Sequence, residues 1–300
     1  MPENKKVFFI INKYSGTGYQ PEIEGKIITH CGELGMECSI EFTQGRGHAT
    51  ELAKQAVRDG FKMVFAMGGD GTVNEVAKGL IHSKVIMGIM PKGSGNGLAR
   101  HLGIPLKFPA MLELLKSTQT IAMDTMLVND HLSVNVSGIG FDGHVAALFG
   151  KNGKRGLAGY GKLVLQEFFR FKEFDTELLL DGQSITRSAF VIALANSSQF
   201  GNNAKVSPFA SVCDQLIDVC FIKKVPLIKA LGFAQMMFTG RINKSAFVEI
   251  QQAREISIQL SHPMPFHVDG ESMEPAVEFL VKMQPGSLNM LVPSAVKGVL

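Results

Sequence analysis

Short apolar runs at Val7 to Ile11, Ser39 to Phe42, Met63 to Met67 and Val85 to Met90 read as strands in the first 120 or so residues. Between them, Glu22 to Leu34 and Ala49 to Arg58 carry apolar residues at helical spacing. Near-continuous apolar strands alternating with helices predict a parallel sheet covered on both faces. From about Met123 the period shortens to two, at Thr125 to Val128, Leu132 to Val136, Thr176 to Leu180, Ala189 to Ala195, Leu216 to Ile222, Ile256 to Leu260, Phe266 to Val268 and Val277 to Lys282. Asn129-Asp130 and Asp181-Gly182 are turn dipeptides between such runs, so this half is expected to be mainly antiparallel. Helical insertions interrupt it at Leu157 to Phe171 and Leu227 to Thr239. The pattern predicts an α/β domain over residues 1–122 and a mainly antiparallel β domain over 123–293.

In a parallel sheet the carboxyl ends of the strands share one edge, and ligands bind in the crevice there. Glycine-rich turns follow three of the strands: Asn12-Lys13-Tyr14-Ser15-Gly16-Thr17-Gly18, Gly68-Gly69-Asp70-Gly71-Thr72 and Pro91-Lys92-Gly93-Ser94-Gly95-Asn96-Gly97. The second and third lead into helices, whose first amides and dipole attract anions, while glycine lets the backbone approach a phosphate. Lys92 can neutralise a phosphate oxygen, and Ser94 and Thr72 can cap a helix or donate to a phosphate. Any one of these loops is explained as a plain strand-to-helix turn; together on one edge they point to a polyphosphate. Two near-matches to nucleotide motifs fail. Gly156 to Leu163 reads GxxxxGK but puts Leu163 where magnesium needs Ser or Thr. Gly138-Ile139-Gly140-Phe141-Asp142-Gly143 is a formal GxGxxG without the acidic residue that would hold a ribose.

Composition narrows the classes. A 300-residue chain with 45% hydrophobic content can bury a large core and form two domains. A net charge of only +3, with dispersed Lys and Arg, excludes a dedicated nucleic-acid binder. Val7 to Ile11 is too short for a signal-peptide core, so a cytoplasmic protein is expected. No stretch approaches the roughly 18 uninterrupted apolar residues of a membrane span, which leaves peripheral contact with a membrane surface. The four cysteines form neither a CxxC pair nor a disulfide framework, and no HExxH spacing occurs. A participating metal should therefore be hard and held by oxygen.

The GGDGT segment Gly68 to Thr72 continuing to Asn74-Glu75, PKGSGNGLAR at Pro91 to Arg100, GIGFDG at Gly138 to Gly143, and Asp269-Gly270-Glu271 occur in this order. With them the chain resembles, over essentially its whole length, the diacylglycerol-kinase catalytic-domain family, which includes bacterial diacylglycerol kinase-like lipid kinases and the sphingosine and ceramide kinases. The resemblance implies an N-terminal Rossmann-like nucleotide domain and a C-terminal β-sandwich with the active site between them, and a C-terminal tail, residues 294–300, returning to the first domain. It implies ATP and Mg2+ as cofactors. ATP contacts are implied at Gly68, Gly69, Asp70, Gly71, Thr72, Val73 and Asn74, at Gly93, Ser94 and Asn96, at Thr43, and at Asn12, Ser15 and Gly16. Glu271 matches the family's proton acceptor; Asp70 is the rival base or the organiser of ATP-bound magnesium. Asp142 and Asp269 are implied at the lipid head group, and Asp214 with the carbonyls of Ser211 and Leu216 at a magnesium site.

Phosphoryl transfer asks for charge stabilisation and in-line positioning more than for strong base chemistry, so a carboxylate near the acceptor hydroxyl suffices. Leu163, Val164, Phe168, Phe169, Phe171 and Phe174, near Lys151, Lys154, Arg155, Arg170 and Lys172, read either as acyl-chain capture beside an anionic membrane or as a core-packed helix with a solvated basic face. The lipid substrate stays open among diacylglycerol, a sphingoid base, phosphatidylglycerol and other lipid alcohols. A kinase of a soluble acceptor such as NAD, and a catalytically silent nucleotide- or lipid-binding module, are the competing readings. A homodimer is left open.

Overall fold

The computed structural model describes residues 6–16, 20–152 and 157–294. The chain divides into two compact units, one made of residues up to Asp124 together with those from Pro285 onward, the other of Thr125–Gln284.

The first unit carries β1 (Lys6–Ile11), α1 (Glu22–Glu33), β2 (Glu37–Phe42), α2 (His48–Arg58), β3 (Met63–Gly68), α3 (Asp70–Leu80), β4 (Ile86–Pro91), the short α4 (Gly97–His101) and α5 (Phe108–Leu112), and the start of β5 (Thr120–Val128). The strands pair in parallel in the order β2-β1-β3-β4. Every residue of β3 is buried, the pattern of a strand covered on both faces. In this order the connections leave β1 and β3 towards opposite sides, which opens a crevice at their carboxyl ends. α2 and α3 approach closely because Gly79 has no side chain: a Cβ there would stand 2.5 Å from the Ala53 Cβ.

A fifth parallel strand comes from the far end of the chain, where Asn289 pairs with Ile86 and Met290 with Met87. It is pinned by hydrogen bonds from His82 N to Ser287 O (2.8 Å), Asn289 Nδ2 to Ser83 O (3.0 Å), Gly286 N to Asp124 Oδ1 (2.7 Å) and Ser117 Oγ to Val292 O (2.6 Å). The return expected at 294–300 thus begins at Pro285; residues 295–300 lie outside the described residues.

The second unit holds the rest of β5, β6 (His131–Ser133), β7 (Val136–Gly140), α6 (Phe141–Asn152), α7 (Leu157–Arg170), β8 (Phe174–Leu180), β9 (Gln183–Ala189), β10 (Val191–Ala195), β11 (Ile217–Ile222), α8 (Leu227–Thr239), β12 (Val248–Ala253), β13 (Glu255–Val268) and most of β14 (Glu271–Leu291). Its ladders are antiparallel, running β12-β11-β10-β7-β13-β14, with β8 and β9 continuing from β13, and they close into a β-sandwich. One core, including Ile139, Leu178, Ile192, Val219, Ile258 and Phe279, fills the sandwich. A second, including Phe141, Val145, Phe190 and Cys220, lies where Phe168, Phe171 and Phe233 of the helices pack, so β10 and β11 are buried at every position. Asn129 and Asp130 (φ 46° and 63°) and Asp181 and Gly182 (φ 48° and 85°) are left-handed, as a two-residue hairpin turn requires.

Several boundaries differ from the periodic reading. The Leu132 to Val136 run breaks into β6 and β7 because the N–H groups of Val134 and Asn135 turn aside to the Asp269 carboxylate. The runs at 256–260 and 266–268 are one strand, interrupted by register shifts near Met264 that break its alternation. Val164 and Phe168 of α7 and Phe171 just beyond it pack against the second core and Phe174 lies in the sandwich, while Leu165 (55%) and Phe169 (61%) are exposed. Most of the described part of that cluster packs inward, as the core-packed reading has it. Lys154 and Arg155, and the side chains of Lys151 and Leu163, lie outside the described residues.

Candidate active site

The three glycine loops of the first unit meet as one body. A Cβ on Gly16, whose φ is +70°, would collide with the Lys92 carbonyl oxygen, and a Cβ on Gly93 would stand 2.6 Å from the Gly69 Cα. Glycine is needed at both places so that backbone can touch backbone. Hydrogen bonds complete the join. Lys92 N donates to Gly68 O at 2.7 Å, Gly69 N to Ser15 Oγ at 3.3 Å, and Asn12 Nδ2 to Thr72 Oγ1 at 3.0 Å. These bonds straddle β1 and β3, where the sheet order opens its crevice.

Asp70, the first residue of α3, accepts Asn96 N at 2.9 Å on one carboxylate oxygen and Gly97 N at 2.7 Å on the other. It braces the entry to α4, which carries no cap of its own. Asn96 (φ 51°) folds the preceding turn back on itself, accepting Gly93 N at 2.9 Å and donating to Gly93 O at 2.8 Å. Glu75 does a similar service for α2, its carboxylate accepting Gly47 N (2.9 Å) and Ala49 N (3.2 Å). Gly69, the residue before α3, has no side chain to cap that helix, and Gly71 in its first turn is exposed. Ser94 is also exposed. Burial lowers the Lys92 ammonium below its ordinary pKa, a cost that a phosphate beside it would offset.

Of the expected ATP contacts, Asn12, Ser15, Gly16, Gly68, Gly69, Asp70, Gly71, Thr72, Gly93, Ser94 and Asn96 belong to this joined surface. Thr43 ends β2 at the same edge, its N–H donating to Ile11 O at 3.0 Å. Val73 and Asn74 are buried on α3, at 6% and 4% exposure, as are Thr72 (6%) and Asn96 (8%), whereas Gly16, Gly71 and Ser94 are exposed.

In the second unit Val268 pairs with Glu271 across a two-residue turn, Asp269 (φ 49°) and Gly270 (φ 85°). Asp269 is buried. Its Oδ1 accepts Ser133 Oγ (2.6 Å) and Asn135 N (3.0 Å), its Oδ2 accepts Val134 N (2.9 Å), and Ser137 Oγ extends the chain to Ser133 Oγ at 2.9 Å. That geometry makes it the anchor of the β6–β7 connection. Asp142 is 3.2 Å from His267 Nε2, and His267 Nδ1 accepts Gly270 N at 3.1 Å. Two side-chain networks therefore hold the turn that presents the half-buried Glu271. The glycines of the GxGxxG segment serve packing: Gly143 lies against the Phe266 backbone, where a Cβ would come within 2.5 Å.

Asp214 Oδ1 accepts Leu216 N at 3.0 Å, and Ser211 Oγ accepts Cys213 N at 3.2 Å, so residues 211–216 are folded by their own side chains around a left-handed Gln215. One carboxylate with two carbonyls is an oxygen set suited to a hard cation whose remaining ligands are water. Among the described residues no group of three or more His, Cys, Asp or Glu could hold a metal, and no helix is long and apolar enough to cross a membrane.

Sequence reasoning missed His267, Ser133 and Ser137. None stands in a motif; Ser133 and His267 reach Asp269 and Asp142, far away in the chain, and Ser137 supports Ser133.

Residues 6–128 match the diacylglycerol kinase catalytic domain, and residues 135–292 match the YegS C-terminal NAD kinase beta sandwich-like domain. The diacylglycerol kinase of Bacillus subtilis (strain 168) is 26% identical over 283 residues, covering 89% of this chain and 90% of that protein. A Chromohalobacter salexigens protein named "Probable lipid kinase YegS-like" is 25% identical over 279 residues, 91% of this chain and 89% of its own length. The fold is that of a Bacillus anthracis diacylglycerol kinase crystal structure, with a TM-score of 0.76 at 19% identity over 99% of this chain and 100% of that one. The joined glycine loops, the β-sandwich and these likenesses over nearly the full length agree: the chain belongs to the diacylglycerol kinase catalytic-domain family, among its YegS-like lipid kinases.

Proposed function

We propose that the protein transfers the γ-phosphoryl group of ATP to the hydroxyl of a lipid alcohol such as diacylglycerol or a sphingoid base. The observation that carries this reading is the fusion of three glycine loops around Asp70 into one surface on which Gly16, Gly71 and Ser94 are exposed, with Lys92 beside it. Such a surface suits a chain of phosphates. In the reaction the bond from the γ-phosphorus to the ADP oxygen breaks as a bond to the acceptor oxygen forms, and the hydroxyl proton passes to the Glu271 carboxylate. Magnesium carried on the phosphates would spread the developing charge. Asp70 then works as a brace of the phosphate surface, which favours Glu271 as the base. The residue 211–216 turn would hold a second, structural Mg2+ through Asp214 and the carbonyls of Ser211 and Leu216. Asp142 would support the acceptor side through His267.

The test is transfer of radiolabelled phosphate from ATP to a panel of lipids in mixed micelles, with NAD and sugar phosphates alongside. Labelled lipid supports the reading, and labelling of soluble acceptors alone overturns it. Glu271→Gln should abolish transfer while ATP still raises the melting temperature.

A further inference from the structure

Helix α8 is a second apolar surface, unrelated to the glycine loops. None of its residues is buried, although its sequence, LIKALGFAQMMFT, is one of the most apolar segments of the second unit. Ala230, Phe233, Ala234 and Met237, spaced i, i+3, i+4, i+7, are half-buried on the side that meets the sheet, with Phe233 on the core. The other side turns outward with Leu227 (48% exposed), Ile228 (93%), Leu231 (84%) and Phe238 (58%), which fall on one stripe of the helix. An exposed polar face is the rule for a surface helix; here large aliphatic and aromatic side chains stand where it should be.

Charge says what meets this stripe. Between Cys220 and Val248 the basic residues are Lys223, Lys224, Lys229, Arg241 and Lys244, and there is no Asp or Glu. Exposed Lys223 lies just before the helix and exposed Arg241 and Lys244 just after it, so the stripe, about 17 Å long at helical rise, has cations at both ends; Lys224 is turned inward, its Nζ donating to Phe171 O at 2.6 Å. Glu173 accepts the backbone N–H of Lys224 at 2.6 Å, and Glu249 is paired with Arg187. A second copy of the chain meeting this face would bring two basic flanks together. Anionic head groups would receive them instead, while the stripe sinks to the level of the first acyl carbons.

We propose that α8 lies in the plane of an anionic lipid bilayer and docks the protein there, with Leu227, Ile228, Leu231 and Phe238 inserted. This deepens the lipid-kinase reading above and rests on it for biological sense, though not for its physics.

The test uses the whole chain with vesicles of phosphatidylcholine alone and with a quarter of phosphatidylglycerol. The protein should sediment with the anionic vesicles at least tenfold better than with the neutral ones. Ile228→Glu with Leu231→Glu should abolish that difference without changing the melting temperature, because both side chains point to solvent. The chain has no tryptophan, so Leu231→Trp gives a single reporter whose emission should shift to the blue on anionic vesicles. Equal binding to neutral vesicles, an unshifted Trp emission, or a dimer that the double substitution dissociates would each overturn the proposal. Transfer to micellar lipid is measured separately: its absence with vesicle binding intact overturns the kinase reading alone, and its presence without vesicle binding overturns the docking alone.

Discussion

Asp142 Oδ2 stands 3.2 Å from His267 Nε2, and the other ring nitrogen of His267 accepts the backbone N–H of Gly270 at 3.1 Å. With Nδ1 accepting, the ring proton of the neutral imidazole sits on Nε2 and points at the carboxylate. His267 so ties Asp142 to the residue preceding Glu271. His267→Ala should lower kcat by about tenfold to a hundredfold, the scale of a small misplacement of a reacting group, and leave the KM for ATP unchanged. Steady-state kinetics in mixed micelles check this. A KM for ATP that moves with kcat would remove His267 from the acceptor side.

Asp70 offers a sharper choice. As a brace it accepts two N–H groups, and Asp70→Asn would turn one acceptor into a donor facing a donor. Turnover should fall, and the ATP-induced rise in melting temperature should shrink with it. A residue acting only as the base would lose turnover and keep the thermal shift, so differential scanning fluorimetry with ATP separates the two roles.

The glycines of the loops divide into those that join the loops and those with open space beside them. Gly93→Ala puts a Cβ 2.6 Å from the Gly69 Cα and should cost about 1–3 kcal/mol of stability, as overpacking does. Gly71→Ala meets nothing within 4 Å and should change stability by less than about 1 kcal/mol. Its methyl group nonetheless occupies the outward side where a phosphate would lie, so ATP affinity should drop. Denaturant unfolding and ATP titration, run together, read both effects.

Lys92 carries a pH signature. Burial lowers its folded-state pKa, which means the charged form is penalised in the folded protein. The penalty is complete below the folded pKa and is relieved as pH rises from there towards the unfolded value. Lys92→Met should therefore raise the melting temperature at neutral pH, flatten its alkaline dependence and weaken ATP binding.

Much of this architecture is legible in the sequence because burial leaves a periodic trace. β1, β3 and β4 are apolar runs, α8 has the predicted bounds, and Asp181-Gly182 forms the hairpin its residues demand. Legibility fails where one residue serves another far away. Asp269 reads as a turn residue, yet its buried carboxylate organises Ser133 and Asn135; His267 is not singled out because its carboxylate partner, Asp142, lies far away in the chain. β13 and β14 are longer than their alternating segments because bulges reset the alternation within one continuous strand. The phenylalanines of α7 illustrate a different limit, since periodicity marks an apolar face without saying whether core or lipid meets it.

The strand that pairs Asn289 with Ile86 carries a consequence for biosynthesis. A ribosome makes β1 to β4 first, yet β4 keeps one bare edge until residue 290 has emerged. Exposed sheet edges invite foreign strands. The nucleotide half of the protein, though first made, is therefore last completed, and shielding that edge during synthesis falls to whatever holds the nascent chain. A chain stopped at Gln284 should accumulate as aggregate even with all three glycine loops and Glu271 intact.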